Sequence, residues 1–252
     1  MRFTSETTSN GVSQRLFTID DITGALWAPT GDAGPRPLVL LGHGGGHHKL
    51  AEGVVARALD YVTACRFAVA AIDAPEHGDR PKTGQNEQLV AGIRERVAAG
   101  EPVGPAVVRY NRELAKRAVP EWQATLDALQ GLDGNGAGGP VGYWGVSLGT
   151  GIGIPFVAAE PRITAAVFGL AGDGLAEAAA RISVPVAFLL QWDDELVPRE
   201  SGLALFDAFA SREKTLHANA GGHRAVPSFE LDSSARFFTR HLARDGAAVT
   251  AA

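Results

Sequence analysis

The chain has 252 residues, of which 45% are hydrophobic and 20% charged, and a net charge of −5. That is ordinary globular composition with enough apolar sequence for one substantial core, and no basic run is present to build a nucleic-acid surface. The single cysteine, Cys65, excludes an internal disulfide, and no apolar run reaches membrane-spanning length.

The first residues, Met1-Arg2-Phe3-Thr4-Ser5-Glu6, are polar and lack the apolar stretch of a secretory leader, so a cytoplasmic protein with no membrane partner is expected. Residues 15–19 and 23–28 read as two paired strands, followed by a Gly/Pro turn region over 30–37. The run Leu38-Val39-Leu40-Leu41 is apolar throughout, as a parallel strand buried on both faces must be. A helical pattern follows over 50–64, then a second buried-strand run over 67–72 closed by Asp73-Ala74-Pro75. Residues 120–130 read as a helix with Pro120 in its first turn, and 131–140 as a glycine-rich loop. Strands are predicted at 141–144, 164–170, 185–191 and 214–218. Helices are predicted at 150–159, 175–181, 201–210 and 226–242, and the small polar tail beyond Arg244 should fray.

Strands that alternate with helices give an α/β fold, a mostly parallel central sheet of about eight strands with helices on both faces, in one domain over 1–252. In such sheets ligands bind beyond the carboxyl ends of the strands. Residues 82–119 break the alternation. Leu89, Ile93 and Val97 recur at helical spacing, as do Val107, Tyr110, Leu114 and Ala118, so two inserted helices are expected as a cap over the site. The insertion carries a net +3 in a chain of −5; such charge attracts anionic substrates or simply solvates an exposed helix face.

The stretch Gly145-Val146-Ser147-Leu148-Gly149 sits between a predicted strand and a predicted helix. A serine on so tight a turn projects its hydroxyl clear of the backbone, and the flanking glycines leave room for the turn. The helix behind it favours developing negative charge. In glycine-rich sequence the pentapeptide alone is equally consistent with an ordinary turn, so its partners decide. A nucleophilic serine needs a base, and the base an orienting acid. Asp194, in Asp194-Glu195-Leu196-Val197-Pro198, follows one strand, and His223, in Gly221-Gly222-His223, follows the last. Asp193 is the alternative acid. An oxyanion needs two amides: Leu148, directly after the serine, and Gly45, in the glycine-rich loop Gly42-His43-Gly44-Gly45-Gly46-His47-His48. His47, Trp144 and Trp192 lie where strands end and are candidates for the substrate pocket.

These segments, with Asp73-Ala74-Pro75-Glu76-His77-Gly78, resemble the α/β-hydrolase superfamily over about residues 15–242, and within it the dienelactone-hydrolase-like and prolyl-oligopeptidase-like serine esterases. The resemblance implies hydrolysis of a small-molecule ester, lactone or thioester, with no metal or organic cofactor. Dienelactone hydrolases usually carry a cysteine where this chain has Ser147. His43, His47, His48 and His77, with Asp73 and Glu76, are of the residue types that ligate zinc; the resemblance accounts for His43 and His77 without metal, as loop-shaping residues. Acyl transfer or thioester hydrolysis on the same residues, or a ligand-binding protein without catalysis, are the rival readings. The oligomeric state is open, a homodimer included.

Overall fold

The computed structural model describes residues 1–31, 34–101, 103–132 and 138–243; the predicted fraying tail and residues 133–137 of the predicted glycine-rich loop lie outside them. Among the described residues nine strands form one sheet: β1 (Arg2–Ser9), β2 (Val12–Ile19), β3 (Ile22–Pro29), β4 (Leu38–Gly42), β5 (Ala68–Ile72), β6 (Val141–Gly145), β7 (Ile163–Gly169), β8 (Val186–Gln191) and β9 (Lys214–Asn219). Their order across the sheet is β1-β2-β3-β5-β4-β6-β7-β8-β9. Strands β4 to β9 pair in parallel, while β1 to β3 form an antiparallel edge that joins β5.

Strand β1 is the element that the sequence reading left out. Its residues are polar and mostly exposed, so no apolar alternation marks it. The signal that was present is Asn10-Gly11, both at positive φ, a dipeptide suited to a two-residue hairpin turn.

The parallel strands are buried on both faces, and their alternation divides the core in two. Leu38 and Leu40 of β4, Tyr143 of β6, Phe168 of β7 and Phe188 of β8 face one layer. Val39, Leu41, Trp144, Val167 and Leu189 face the other. The second layer is covered by α1 (Glu52–Cys65) and by α7 (Phe229–Leu242), through Ala58, Tyr61 and Phe238. Between β5 and β6 the chain forms α2 (Gly84–Ala98) and α3 (Gly104–Gln130). The first layer is covered by α3 together with α4 (Leu148–Ala159), the short α5 (Ala176–Ala179) and α6 (Arg199–Ala208).

A separate helix beginning at Pro120 does not form; Pro120 lies inside α3. Leu114, Ala118, Trp122, Leu126 and Leu129 make one buried stripe that passes the proline. An interior proline costs about 3 kcal/mol. Burying that stripe offsets it, at ~1.5 kcal/mol or more for each large side chain. Helix α2 packs more loosely: Leu89 and Val97, expected on its apolar face, are 46% and 45% exposed. Among the described residues no helix is long and apolar enough to cross a membrane.

Candidate active site

Ser147 joins β6 to α4 and has φ 56° and ψ −117°, a left-handed backbone that a residue with a Cβ adopts only under constraint. The constraint is close packing of backbone on backbone. A Cβ on Gly145 would lie 2.7 Å from the Gly149 carbonyl group, and a Cβ on Gly149 would lie 2.6 Å from the Gly42 oxygen. Ser147 N–H donates to the Gly169 oxygen at 3.0 Å. The fully buried Thr150 hydroxyl lies 2.7 Å from the Gly145 oxygen and 2.6 Å from the Gly169 oxygen, and it accepts Gly169 N–H at 2.9 Å. Thr150 therefore locks the turn to the next strand, a role the sequence reading missed although the residue directly follows Gly149.

Asp194 follows β8 and His223 follows β9, so the register of two neighbouring parallel strands brings their loops together. His223 Nδ1 lies 2.8 Å from Asp194 Oδ2, and His223 Nε2 lies 3.0 Å from Ser147 Oγ. A carboxylate accepts only, so Nδ1 carries the proton and Nε2 is left to accept the serine hydroxyl. The other Asp194 oxygen accepts Leu196 N–H at 2.8 Å and Val197 N–H at 2.9 Å. Burial alone would raise the Asp194 carboxyl. The hydrogen bond from His223, with those of the two amides, outweighs it and holds the group below the usual carboxylate range. Asp193, the alternative acid, points elsewhere: its Oδ2 accepts Gly221 N–H at 3.1 Å.

Leu148 is the first residue of α4, where an amide has no partner within the helix. The Gly45 turn comes against it, since a Cβ built on Gly45 would lie 3.9 Å from Leu148 Cβ. Both residues, with Ser147 and His223, line a cleft of about 2180 Å³. His47 and Trp144 line it too; Trp144 is only 8% exposed, with the Arg57 guanidinium 3.9 Å above its ring. Trp192 departs from expectation and is not among the lining residues. It is 43% exposed on the outer side of the β8 loop, where Arg199 stacks at 4.0 Å and donates to the Trp192 carbonyl. Residues of α2 and of the first half of α3, among them Ile93, Val97 and Asn111, form the far wall.

The histidine-rich loop is held by buried polar contacts. His43 Nδ1 donates to the Gly44 carbonyl at 2.9 Å and its Nε2 accepts Ala74 N–H at 3.0 Å. Burial lowers His43 from 6.5 to about 4, so the ring is neutral. His77 Nδ1 donates to the Pro75 carbonyl at 3.0 Å. Beneath them Lys49 Nζ donates to Asp73 at 2.6 Å and to Asp79 at 2.7 Å, and Asp73, wholly buried, also accepts the Thr23 hydroxyl and two backbone amides. Burial would lower Lys49 and raise Asp73. The bonds between them outweigh it in both, so the pair stays charged. Among the described residues no group of three or more histidine, cysteine or acidic side chains could hold a metal ion.

No family model and no curated protein sequence matches the chain. Solved structures do. The PEG-bound complex of a cold-adapted esterase from an Arctic intertidal metagenomic library is 33% identical over 96% of this chain and 100% of that one, with a TM-score of 0.75. The acetyl xylan esterase of Paenibacillus sp. R4 shares the fold at 15% identity, covering 96% of this chain and 88% of its own, with a TM-score of 0.71. Est1E of Butyrivibrio proteoclasticus, solved with ferulic acid bound, covers 95% and 100% at 14% identity and a TM-score of 0.65. Full-length likeness at one-third identity, on a parallel sheet with a serine at the β6–α4 turn, makes the chain a member of the α/β-hydrolase superfamily, among its carboxylic-ester hydrolases.

Proposed function

We propose that the chain is a serine esterase in which Ser147, His223 and Asp194 act as one unit. The observation that carries this reading is the imidazole of His223, bridged between Ser147 Oγ at 3.0 Å and Asp194 Oδ2 at 2.8 Å. As Ser147 Oγ attacks the ester carbonyl, its proton passes to His223 Nε2. The imidazolium is stabilised by Asp194, which stays ionised. The tetrahedral oxyanion accepts the amides of Gly45 and Leu148. His223 then gives its proton to the departing alkoxide, leaving an acyl-enzyme. Water, deprotonated by His223, attacks that acyl group, and Ser147 recovers its proton as the acid leaves. A partly exposed serine at the floor of a wide cleft supports access for both ester and water.

Helix α2 and the first half of α3 act as a cap over this site. Their residues wall the cleft, and two ion pairs tie α3 to the loop that follows β5. Glu76 accepts Arg117 at 2.7 Å, and Arg80 forms a two-pronged pair with Glu121. The cap faces the part of the substrate that distinguishes one ester from another. Turnover of p-nitrophenyl acetate, butyrate and octanoate tests the reading: wild type hydrolyses at least one, and Ser147→Ala hydrolyses none above background. Full activity in Ser147→Ala would overturn it.

A further inference from the structure

Three consecutive acids grip the histidine loop, and only one of them is used in the mechanism above. Asp194 takes the ring of His223. Asp193 takes Gly221 N–H at 3.1 Å, while its own N–H donates to the Gly221 carbonyl at 3.2 Å. Glu195 reaches past both and accepts the backbone N–H of His223 itself, through Oε2 at 2.9 Å. This bond depends on residue 222. A Cβ on Gly222 would lie 2.6 Å from Glu195 Oε2, so the carboxylate occupies the space that any side chain there would need. The bonds from His223 N–H and from its own amide hold the Glu195 carboxyl below its ordinary range. From the other side, Gln191 Nε2 donates to the Gly222 carbonyl at 3.2 Å.

We infer that Glu195 is a positioning residue, whose carboxylate fixes the His223 backbone so that the imidazole meets Asp194 and Ser147 together. The inference rests on the triad reading. Asp194 alone constrains one ring nitrogen, about which the imidazole can still swing. Fixing the amide of the same residue leaves the side-chain torsions as the remaining freedom, and the two ring contacts fill those. Glu195 is exposed and is not among the residues that line the cleft, so it acts on the base and not on substrate binding.

The test compares Glu195→Ala and Glu195→Gln with wild type on p-nitrophenyl acetate, with thermal unfolding of each variant. Loss of a charge-assisted bond at an exposed position predicts that Glu195→Ala lowers kcat about fivefold with KM unchanged. The rate of serine labelling by a fluorophosphonate, which needs the same base, should fall in parallel. Glu195→Gln keeps an acceptor oxygen and should regain at least half of the lost kcat. A wild-type kcat in Glu195→Ala overturns the inference, as does a change confined to KM, or a lowered unfolding temperature with normal kcat per folded molecule. Ser147→Ala, run beside them, reads the triad itself. A dead Ser147→Ala with a normal Glu195→Ala removes only the role of Glu195.

Discussion

Replacing Asp194 by Asn should be far more damaging than the loss of one charge suggests, because the structure dictates which way the new amide faces. One Asp194 oxygen accepts the amides of Leu196 and Val197 at 2.8 and 2.9 Å, and the other accepts His223 Nδ1–H at 2.8 Å. An asparagine must give its single carbonyl to one side. Turning the NH2 toward Leu196 and Val197 would leave two amide donors facing a donor, at about 1–3 kcal/mol each. The NH2 therefore faces His223, where it donates to Nδ1 and moves the ring proton to Nε2. In that tautomer Nε2 cannot accept the proton of Ser147, and no carboxylate supports the imidazolium. The expected loss in kcat is about 10⁴-fold, or about 5.4 kcal/mol of transition-state stabilisation. Steady-state hydrolysis of p-nitrophenyl acetate at pH 8 measures it, with circular dichroism to show that the fold persists. Asp193→Asn is the matched control and should lose less than about fivefold, since its carboxylate meets only a backbone amide on the exposed side. A kcat for Asp194→Asn within tenfold of wild type would refute the reasoning, as would equal damage from Asp193→Asn.

Two further outcomes concern the scaffold. Lys49→Met leaves the wholly buried Asp73 with its hydrogen bonds from Thr23 and two amides but without its buried cation. It should cost about 3 kcal/mol in urea unfolding, and adding Asp73→Asn should return part of that; an unchanged midpoint would contradict the account. His43, held near 4 when folded and near 6.5 when unfolded, takes up its proton first in the unfolded chain. Its contribution to stability is therefore intact above pH 6.5 and lost as pH falls toward 4, by about 3 kcal/mol at most. His43→Gln keeps an acceptor for Ala74 N–H and should lose less stability than wild type between pH 7 and 4.5, measured by urea midpoints. Equal losses would remove His43 from the explanation.

The parallel half of the sheet was legible because runs such as Leu38 to Leu41 are apolar at every position, which only a strand covered on both faces needs. Strand β1 was not, since an edge strand with two wet faces has no reason to alternate. Pro120 misled because a local rule, proline at a helix start, yielded to a buried stripe that continues through it. At the site, Ser147, Asp194 and His223 could be placed at strand ends from order and spacing alone. Their approach to 3 Å depends on which strands are neighbours, and no single sequence prints that. Trp192 and Trp144 look alike in the sequence, each at a strand end. One turned outward onto Arg199, and the other inward beneath Arg57 at the cleft. The bonds of Thr150 and Glu195 are made to backbone atoms, which carry no residue signature.

Covalent capture tests the central claim most directly. Wild-type protein is incubated with a fluorophosphonate and its intact mass is measured, followed by peptide mapping. A base-activated Ser147 predicts one adduct per chain, mapped to the peptide containing Ser147, absent in Ser147→Ala and strongly slowed in His223→Ala. No adduct on wild type, or an undiminished adduct on Ser147→Ala, would contradict it.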